Sequence, residues 1–320
     1  MRVLVLGYEE GPIIEYLKSV DEVFVTSSRL TLEQIQSYDP DFIVSYGYKY
    51  ILRPPVVRAY PNRIINLHIS KLPWNRGYHP NFWSFYDNTP KGVTIHLIDE
   101  GIDTGKILLQ KDVDFREDED TLEKTYKRLR KEIEDLFIAN WTALRSNQIE
   151  PLKQSEASGS HYYRRELEAI WPLLSRGWNT PIREIEDLGK KKMVKNEPRY
   201  WEFIRTLRND PSARENFMNR GITKSEEHKA YMEEHQDKFY ICLFEDKPVG
   251  YIGINSENYI SIAVVKEARG KGLGKYMLQY FHEEVKTRKL RAIVKITNEA
   301  SLKLFESCGF VKKFYIFEGV

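Results

Sequence analysis

Short apolar runs alternate with amphipathic stretches through the first part of the chain. Arg2-Val3-Leu4-Val5-Leu6-Gly7 is a β-rich run, residues 12–19 follow helical spacing, 22–26 predict a strand and 31–37 a helix. Phe42-Ile43-Val44-Ser45-Tyr46 and Ile64-Ile65-Asn66-Leu67-His68 are again β-rich and bounded by turn residues. Repeated strand, helix, strand units predict a parallel sheet, with ligands at the carboxyl ends of its strands. Chemistry is therefore expected just after residues 46 and 66. Val93-Thr94-Ile95-His96-Leu97 and Ile107-Leu108-Leu109-Gln110 predict two more strands, flanking a loop from Asp99 to Gly105. Leu122, Tyr126, Leu129, Ile133, Leu136 and Phe137 recur at helical spacing within 119–147, which predicts a long helix closing the domain against the sheet.

The pattern breaks between Leu188 and Pro198, where Gly, Lys and Asn accumulate before a proline, as in exposed linkers. The expected organisation is a first domain over 1–190, a linker over 191–197 and a second domain over 198–320. In the second domain, helices are predicted near 199–208 and 224–235, and strands at 238–245, 248–254 and 259–265. A glycine-rich turn, a helix over 272–287 and a strand at 291–296 follow. The fold class is α/β with a mostly parallel central sheet, followed by an α+β domain with a mixed sheet.

A chain of 320 residues suits two domains, each able to bury its own core. With 49 basic and 47 acidic residues the formal net charge is +2, which gives no broad field for a polyanion and argues against nucleic acid. The two cysteines, Cys242 and Cys308, lack metal-ligand spacing and imply no disulfide framework. No run approaches the roughly 18 apolar residues of a membrane span, and the N-terminus lacks a signal-peptide core. A cytoplasmic location without membrane contact is expected.

Asn66 and His68 end a strand and project to the same side, and Asp103 follows in a tight loop. An amide, an imidazole and a carboxylate can polarise a carbonyl, hold an oxyanion and manage a proton. On spacing alone, plain hydrogen bonding at the end of a parallel strand is the stronger reading. The wider context is more specific: Asn66-Leu67-His68-Ile69-Ser70-Lys71-Leu72-Pro73-Trp74-Asn75-Arg76-Gly77, Gly92-Val93-Thr94-Ile95-His96 and Gly101-Ile102-Asp103-Thr104-Gly105 stand in order, with Gly159-Ser160-His161-Tyr162-Tyr163 trailing. Over roughly 1–170 this resembles the Rossmann-like catalytic core of the folate-dependent formyltransferases. The resemblance implies Asn66, His68 and Asp103 as catalytic residues. It also implies a 10-formyltetrahydrofolate cleft between the segment 46–52, with Tyr50, Ile51 and Leu52, and the loop carrying Asp99. Lys71 stands where the family usually has Leu. The implied mechanism has a neutral amine attack the formyl carbon, with Asn66 and a protonated His68 holding the oxyanion and Asp103 favouring the charged imidazole. His79 and His96 are expected to be structural hydrogen bonders, with no metal.

Strand 259–265, the turn Arg269-Gly270-Lys271-Gly272-Leu273-Gly274 and a helix start form a second constellation. Such glycines let backbone N–H groups approach an anion at a helix N-terminus. With Asn298, Ser301 and Gly309-Phe310, this resembles the GNAT N-acetyltransferases over about 198–320. The resemblance implies coenzyme A binding by Val264, Val265, Arg269, Gly270, Gly272, Gly274 and Asn298, with acetyl-CoA as cofactor. Leu207-Arg208-Asn209-Asp210, Tyr240-Ile241-Cys242-Leu243 and Pro248-Val249-Gly250-Tyr251-Ile252-Gly253 are similar to an acetyltransferase of pseudaminic acid biosynthesis. Many GNAT enzymes have a tyrosine four residues before the Gly-Phe pair to protonate the leaving thiolate. Phe305 stands there, so Tyr251, Tyr259 or Tyr276 takes that role, or acetyl transfer is slow or lost.

Pro80-Asn81-Phe82-Trp83 after Arg76-Gly77 resembles the sugar branch of the formyltransferases and implies Asn75, Arg76, Tyr78 and Asn81 as substrate contacts. The expected partner is a nucleotide-linked amino sugar, a UDP-linked 4-amino-4,6-dideoxy sugar of the pseudaminic type used in surface polysaccharide biosynthesis; a homodimer is compatible with this reading. Formylation of methionyl-tRNA is the alternative activity, and a non-catalytic binding or dimerising module is the alternative for the second half.

Overall fold

The computed structural model describes residues 1–116, 120–155, 158–174, 176–217, 221–285 and 289–313. The chain divides into two compact units, Met1–Gly189 and Lys190–Val320.

The first unit follows the apolar pattern closely. β1 (Arg2–Gly7), α1 (Pro12–Val20), β2 (Glu22–Thr26), α2 (Leu32–Ser37), β3 (Phe42–Tyr46), α3 (Pro54–Ala59) and β4 (Ile64–His68) alternate in sequence. A short β5 (Arg76–Gly77) and α4 (Pro80–Tyr86) lead into β6 (Gly92–Leu97) and β7 (Ile107–Asp112). The long α5 (Leu122–Arg145), β8 (His161–Tyr162), α6 (Arg164–Ile170) and α7 (Ile182–Gly189) complete the unit. The six-stranded sheet runs β2-β1-β3-β4-β6-β7. The β1/β2, β1/β3 and β3/β4 pairs are parallel, and β6 pairs antiparallel with both β4 and β7.

Strand alternation divides β1 between two cores. Val3 and Val5 face Ile13, Leu17, Ile133, Phe137 and Trp141 from α1 and α5, whereas Leu4 and Leu6 face Ile35, Val56 and Ile64. A strand covered on both faces must be apolar on both, which is why its sequence is a continuous hydrophobic run. Trp141 is fully buried, and its indole Nε1 donates to Asp21 Oδ2 at 2.7 Å, so a polar tip inside the core is satisfied.

The second unit opens with β9 (Lys191–Lys195), then α8 (Pro198–Asn209), α9 (Pro211–Arg214), α10 (Ser225–His235), β10 (Phe239–Phe244), β11 (Lys247–Ile254) and β12 (Ile260–Val264), and ends in α11 (Leu273–Glu284) and α12 (Glu299–Ser307). The stretch 191–197, expected as a linker, contains β9, which pairs antiparallel with β10 from Lys191↔Phe244 to Lys195↔Tyr240. Its lysines hid the strand, because an edge strand is commonly lysine-rich on its open side. The four-stranded sheet β12-β11-β10-β9 is antiparallel throughout its described pairs. The strand expected at 291–296, which would have made it mixed, is reduced to an isolated parallel bridge between Tyr259 and Arg291. The sheet again separates two cores. Tyr240, Cys242 and Ile252 pack with Met277, Leu278 and Phe281 of α11, and Ile241, Leu243 and Tyr251 pack with Ile204, Leu207 and Met232 of α8 and α10. Residues 286 and 287 of the expected helix 272–287 lie outside the described residues.

Candidate active site

The β4 pleat sends Leu67 into the core and turns Asn66 and His68 the other way, while the antiparallel β4/β6 register sets His96 opposite Asn66. The return from β6 to β7 then brings in the acid. Asp99 Oδ1 accepts from the Gly101 N–H at 3.0 Å and from Thr104 Oγ1 at 2.6 Å, which closes a tight turn. Gly105 passes so near β6 that an added Cβ would lie 1.7 Å from the Leu97 carbonyl oxygen, so only glycine fits. Asp103 sits at the apex with φ +53°, left-handed and costly for a residue with a Cβ.

That turn delivers one carboxylate to four groups. Asp103 Oδ1 accepts from Asn66 Nδ2 at 3.2 Å and lies 3.4 Å from His96 Nε2. Oδ2 accepts from the Gly77 N–H at 2.8 Å and lies 3.6 Å from His68 Nδ1. Asn66 Nδ2 also lies 3.2 Å from His96 Nε2, and His96 Nδ1 donates to the Leu97 carbonyl at 2.8 Å. Burial pushes the Asp103 carboxyl up, but His68, His96 and the Gly77 N–H together hold it well below the usual carboxylate range. It is an anion at any working pH.

His68 behaves differently from the expectation. Burial pulls its imidazole below the ordinary value of 6.5; Asp103 opposes this and His96 adds to it, so the ring is neutral near pH 7. Its Nε2 donates to the Asn75 carbonyl at 3.1 Å, which leaves the Nδ1 lone pair facing Asp103. The arrangement is a base waiting for a proton beside a fixed anion, rather than a standing cation.

The other expected site residues separate into groups. Arg76 and Tyr78 flank Gly77, next to the carboxylate. Asn75 is wholly buried: Nδ2 donates to Thr89 Oγ1 at 2.7 Å, Oδ1 accepts from Ser160 Oγ at 3.1 Å, and its carbonyl orients His68. It is a support for the imidazole, not a surface for substrate. Asn81 is likewise buried in α4, with Nδ2 on the Leu122 carbonyl at 3.1 Å. The polar atoms of Asn75 look available in a sequence and are consumed by the fold, whereas Asn81 keeps a buried Oδ1 without a hydrogen-bond partner among the described residues. Lys71 pairs with Asp112 on β7. Of the folate segment, Leu52 is buried while Tyr50 and Ile51 are exposed, Ile51 at 68%. Asp99 acts through its turn. Gly77, His96 and Gln154 were missed as site residues; only the glycine carried a local signal. Among the described residues no cluster of three or more His, Cys, Asp or Glu could hold a metal.

Beside Tyr78 a cleft of about 280 Å³ is walled by Tyr78, His79, Trp171 and Trp178, with Arg164 and Glu168 at its edge. His79, at φ +54°, starts α4 and has its ring centroid 5.4 Å from that of Trp178.

In the second unit Gly270 and Gly272 have φ of +81° and +70°, and an added Cβ at Gly270 would meet nothing within 4 Å. Gly272 caps α11, so backbone donors and the helix dipole face an open cradle that suits a phosphate. Gly274 serves packing instead, since a Cβ there would lie 2.9 Å from Leu304 Cδ2. Arg269 donates from Nε to the Val264 carbonyl at 3.2 Å and from Nη2 to Ser212 Oγ at 2.9 Å. The Val265 N–H is taken by the Val249 carbonyl at 2.9 Å. Asn298 caps α12 by accepting from the Ser301 N–H at 3.1 Å. The bridge to Arg291 ends at the start of β12, so the outer edge of Val264 is unpaired among the described strands. Phe305 is buried with its ring 5.1 Å from Phe310. Tyr251 is buried with its hydroxyl 3.2 Å from Ser261 Oγ, and the Tyr276 hydroxyl donates to the Lys191 carbonyl at 3.2 Å.

Comparison with known proteins agrees with this division. The formyl transferase family model matches residues 25–140, and the acetyltransferase (GNAT) family model matches 201–310. The chain is 42% identical to the formyltransferase PseJ from Anoxybacillus kamchatkensis, solved with UDP-4,6-dideoxy-4-formamido-L-AltNAc and tetrahydrofolate, covering 59% of this chain and 100% of that one with a TM-score of 0.57. It is 31% identical over 178 residues to the methionyl-tRNA formyltransferase of Thermodesulfovibrio yellowstonii and 33% over 158 residues to that of Clostridium novyi. The chain spans about half the length of these curated relatives, 54% and 50%.

Proposed function

Because the chain belongs to the formyltransferase family, we propose that its first unit transfers a formyl group from 10-formyltetrahydrofolate to the amine of a UDP-linked 4-amino-4,6-dideoxy sugar of the pseudaminic acid type. The observation that carries this reading is the closed cluster of Asn66, His68 and Asp103 at the end of β4, with Asp103 Oδ2 between the Gly77 N–H at 2.8 Å and His68 Nδ1 at 3.6 Å. The resemblance to PseJ over that protein's whole length supports the sugar class. So does the aromatic cleft beside Tyr78, whose rings suit a flat, polar-edged group such as a nucleobase.

The folate supplies the formyl group, and the exposed Tyr50 and Ile51 above buried Leu52 fit an aromatic ring of that kind. The chain's own residues handle charge and protons. Neutral His68 accepts the proton lost by the attacking amine, the imidazolium so formed is held by the Asp103 anion, and it returns the proton, directly or through a water, to the folate nitrogen as the bond from that nitrogen to the formyl carbon breaks. Asn66 turns an amide hydrogen from its partners onto the formyl oxygen as negative charge develops there. Asn75 and Gly77 keep the imidazole and carboxylate in place through the reaction.

The second unit is read as a coenzyme A module acting on a related sugar amine. Its cradle supports cofactor binding, whereas buried Phe305 offers no proton, so acetyl transfer is slow. The decisive assay incubates full-length protein with 10-formyltetrahydrofolate and a panel of nucleotide amino sugars, with methionyl-tRNA in parallel, followed by mass spectrometry. Formylated UDP-amino sugar is expected; formylation of the tRNA alone would replace this reading with the tRNA one.

A further inference from the structure

Gln154 lies fifty-one residues beyond Asp103 in sequence, yet its side chain is folded into the Asp103 turn. It is buried, at 7% exposure, and its amide is fully used. Nε2 donates to the carbonyls of Asp103 at 2.8 Å and Gly105 at 2.7 Å. Oε1 accepts from Arg76 Nε at 3.1 Å and Nη2 at 2.7 Å. An amide is the one uncharged side-chain group that can donate twice on one side and accept twice on the other.

What it joins matters. One end fixes the backbone of a residue in a left-handed conformation, which persists only when its surroundings over-determine it. The other end fixes Arg76, whose next residue, Gly77, donates its N–H to Asp103 Oδ2. The guanidinium bonds only to Gln154 among the described residues, so its Nη1 is left for an anionic ligand. The loop therefore gains two independent ties to the carboxylate, one through its own carbonyls and one through the Arg76–Gly77 strand.

We propose that Gln154 is a positioning residue for formyl transfer, holding the Asp103 turn against His68 while aiming Arg76 at the phosphates of the nucleotide sugar. The kinetic part rests on the formyl-transfer reading above. Loosening the turn would move the carboxylate away from His68, and misplacement by about 1 Å can cost on the order of a hundredfold in rate. The groups facing His68 are Asp103 from the β6–β7 loop, His96 from β6 and the Asn75 carbonyl, so among the described residues Asp103 is the only anion whose withdrawal the imidazole would sense.

Two full-length variants separate the ends of the amide. Gln154→Glu keeps acceptors for Arg76 and loses both donors to the turn; Gln154→Met keeps length and loses everything. With the UDP-amino sugar as varied substrate, Gln154→Glu should lower kcat ~10-fold or more with KM within about threefold of wild type, whereas Gln154→Met should lower kcat and raise KM ~10-fold. NMR titration of the His68 ring should move to lower pH in Gln154→Met, which loosens the turn without adding a charge. Unchanged kcat and KM in the variants, with only a lower Tm, would mean a purely structural role and overturn the proposal. If the wild type formylates no nucleotide sugar, the functional reading falls, and the His68 titration alone decides: a titration identical to wild type in folded Gln154→Met rejects Gln154 as a positioning residue.

Discussion

The role proposed for Asp103 depends on its being an anion, and its neighbours are arranged to keep it one. Replacing Asn66, His68 or Asp103 by Ala should each lower formyl transfer about a hundredfold or more, because each removes a charge or donor needed as the transition state forms. The folded state should survive in circular dichroism. Normal turnover in two of the three would sink the assignment. Since burial holds His68 neutral, activity should rise with pH as the sugar amine and His68 lose protons, then level off without an alkaline fall from His68; a kcat profile from pH 5 to 9 checks this. Stability has the same sign. Burial lowers His68, His79 and His228 below 6.5, so the unfolded chain binds protons first on acidification. Their contribution is complete above 6.5 and is lost as pH falls through the folded values, so Tm should drop between pH 7 and 5. A Tm that rises over that range would contradict neutral burial of these rings.

Elements present these residues by short, specific pairings rather than by bulk. β5 and β8 pair over just Arg76↔His161 and Gly77↔Tyr162, yet that ladder places the Gly77 N–H on Asp103. Tyr162 anchors it by stacking on Trp83 at 3.9 Å and 9° between planes. In the second unit, the entry to α11 depends on Gly272 at φ +70°, where a branched side chain is strained and would project into the cradle. Calorimetry should therefore find coenzyme A binding to the wild type and none to Gly272→Val. In parallel, Phe305→Tyr should raise the slow acetylation of a sugar amine, since general acid help is worth ~10²-fold when aligned. Fast acetylation by wild type would mean that another group supplies the proton, and absent coenzyme A binding would leave a structural module.

Over the whole molecule, the boundary is the place where patterning and packing disagree. β9 supplies five register pairs to β10, so a fragment starting at Lys190 keeps the sheet and one starting at Pro198 exposes the β10 edge. The 190–320 fragment should melt cooperatively, and 198–320 should be poorly soluble or melt well below it; equal Tm values would show β9 to be dispensable. The sequence by itself determined β1 to β4 with α1 and α2, then β6, β7 and the long α5, a division into two halves, and the side of β4 that carries Asn66 and His68, because period-two and period-3.6 alternation are local consequences of which face is buried. The family motifs added Asp103 as their partner. Tertiary structure alone decided that Asn75 is consumed internally and Asn81 is buried, that Gln154 joins Arg76 to the Asp103 turn, that a lysine-rich stretch is an edge strand, and that His68 is neutral. Each depends on groups brought together across long separations, where burial and the hydrogen bonds already taken set what a side chain can still do.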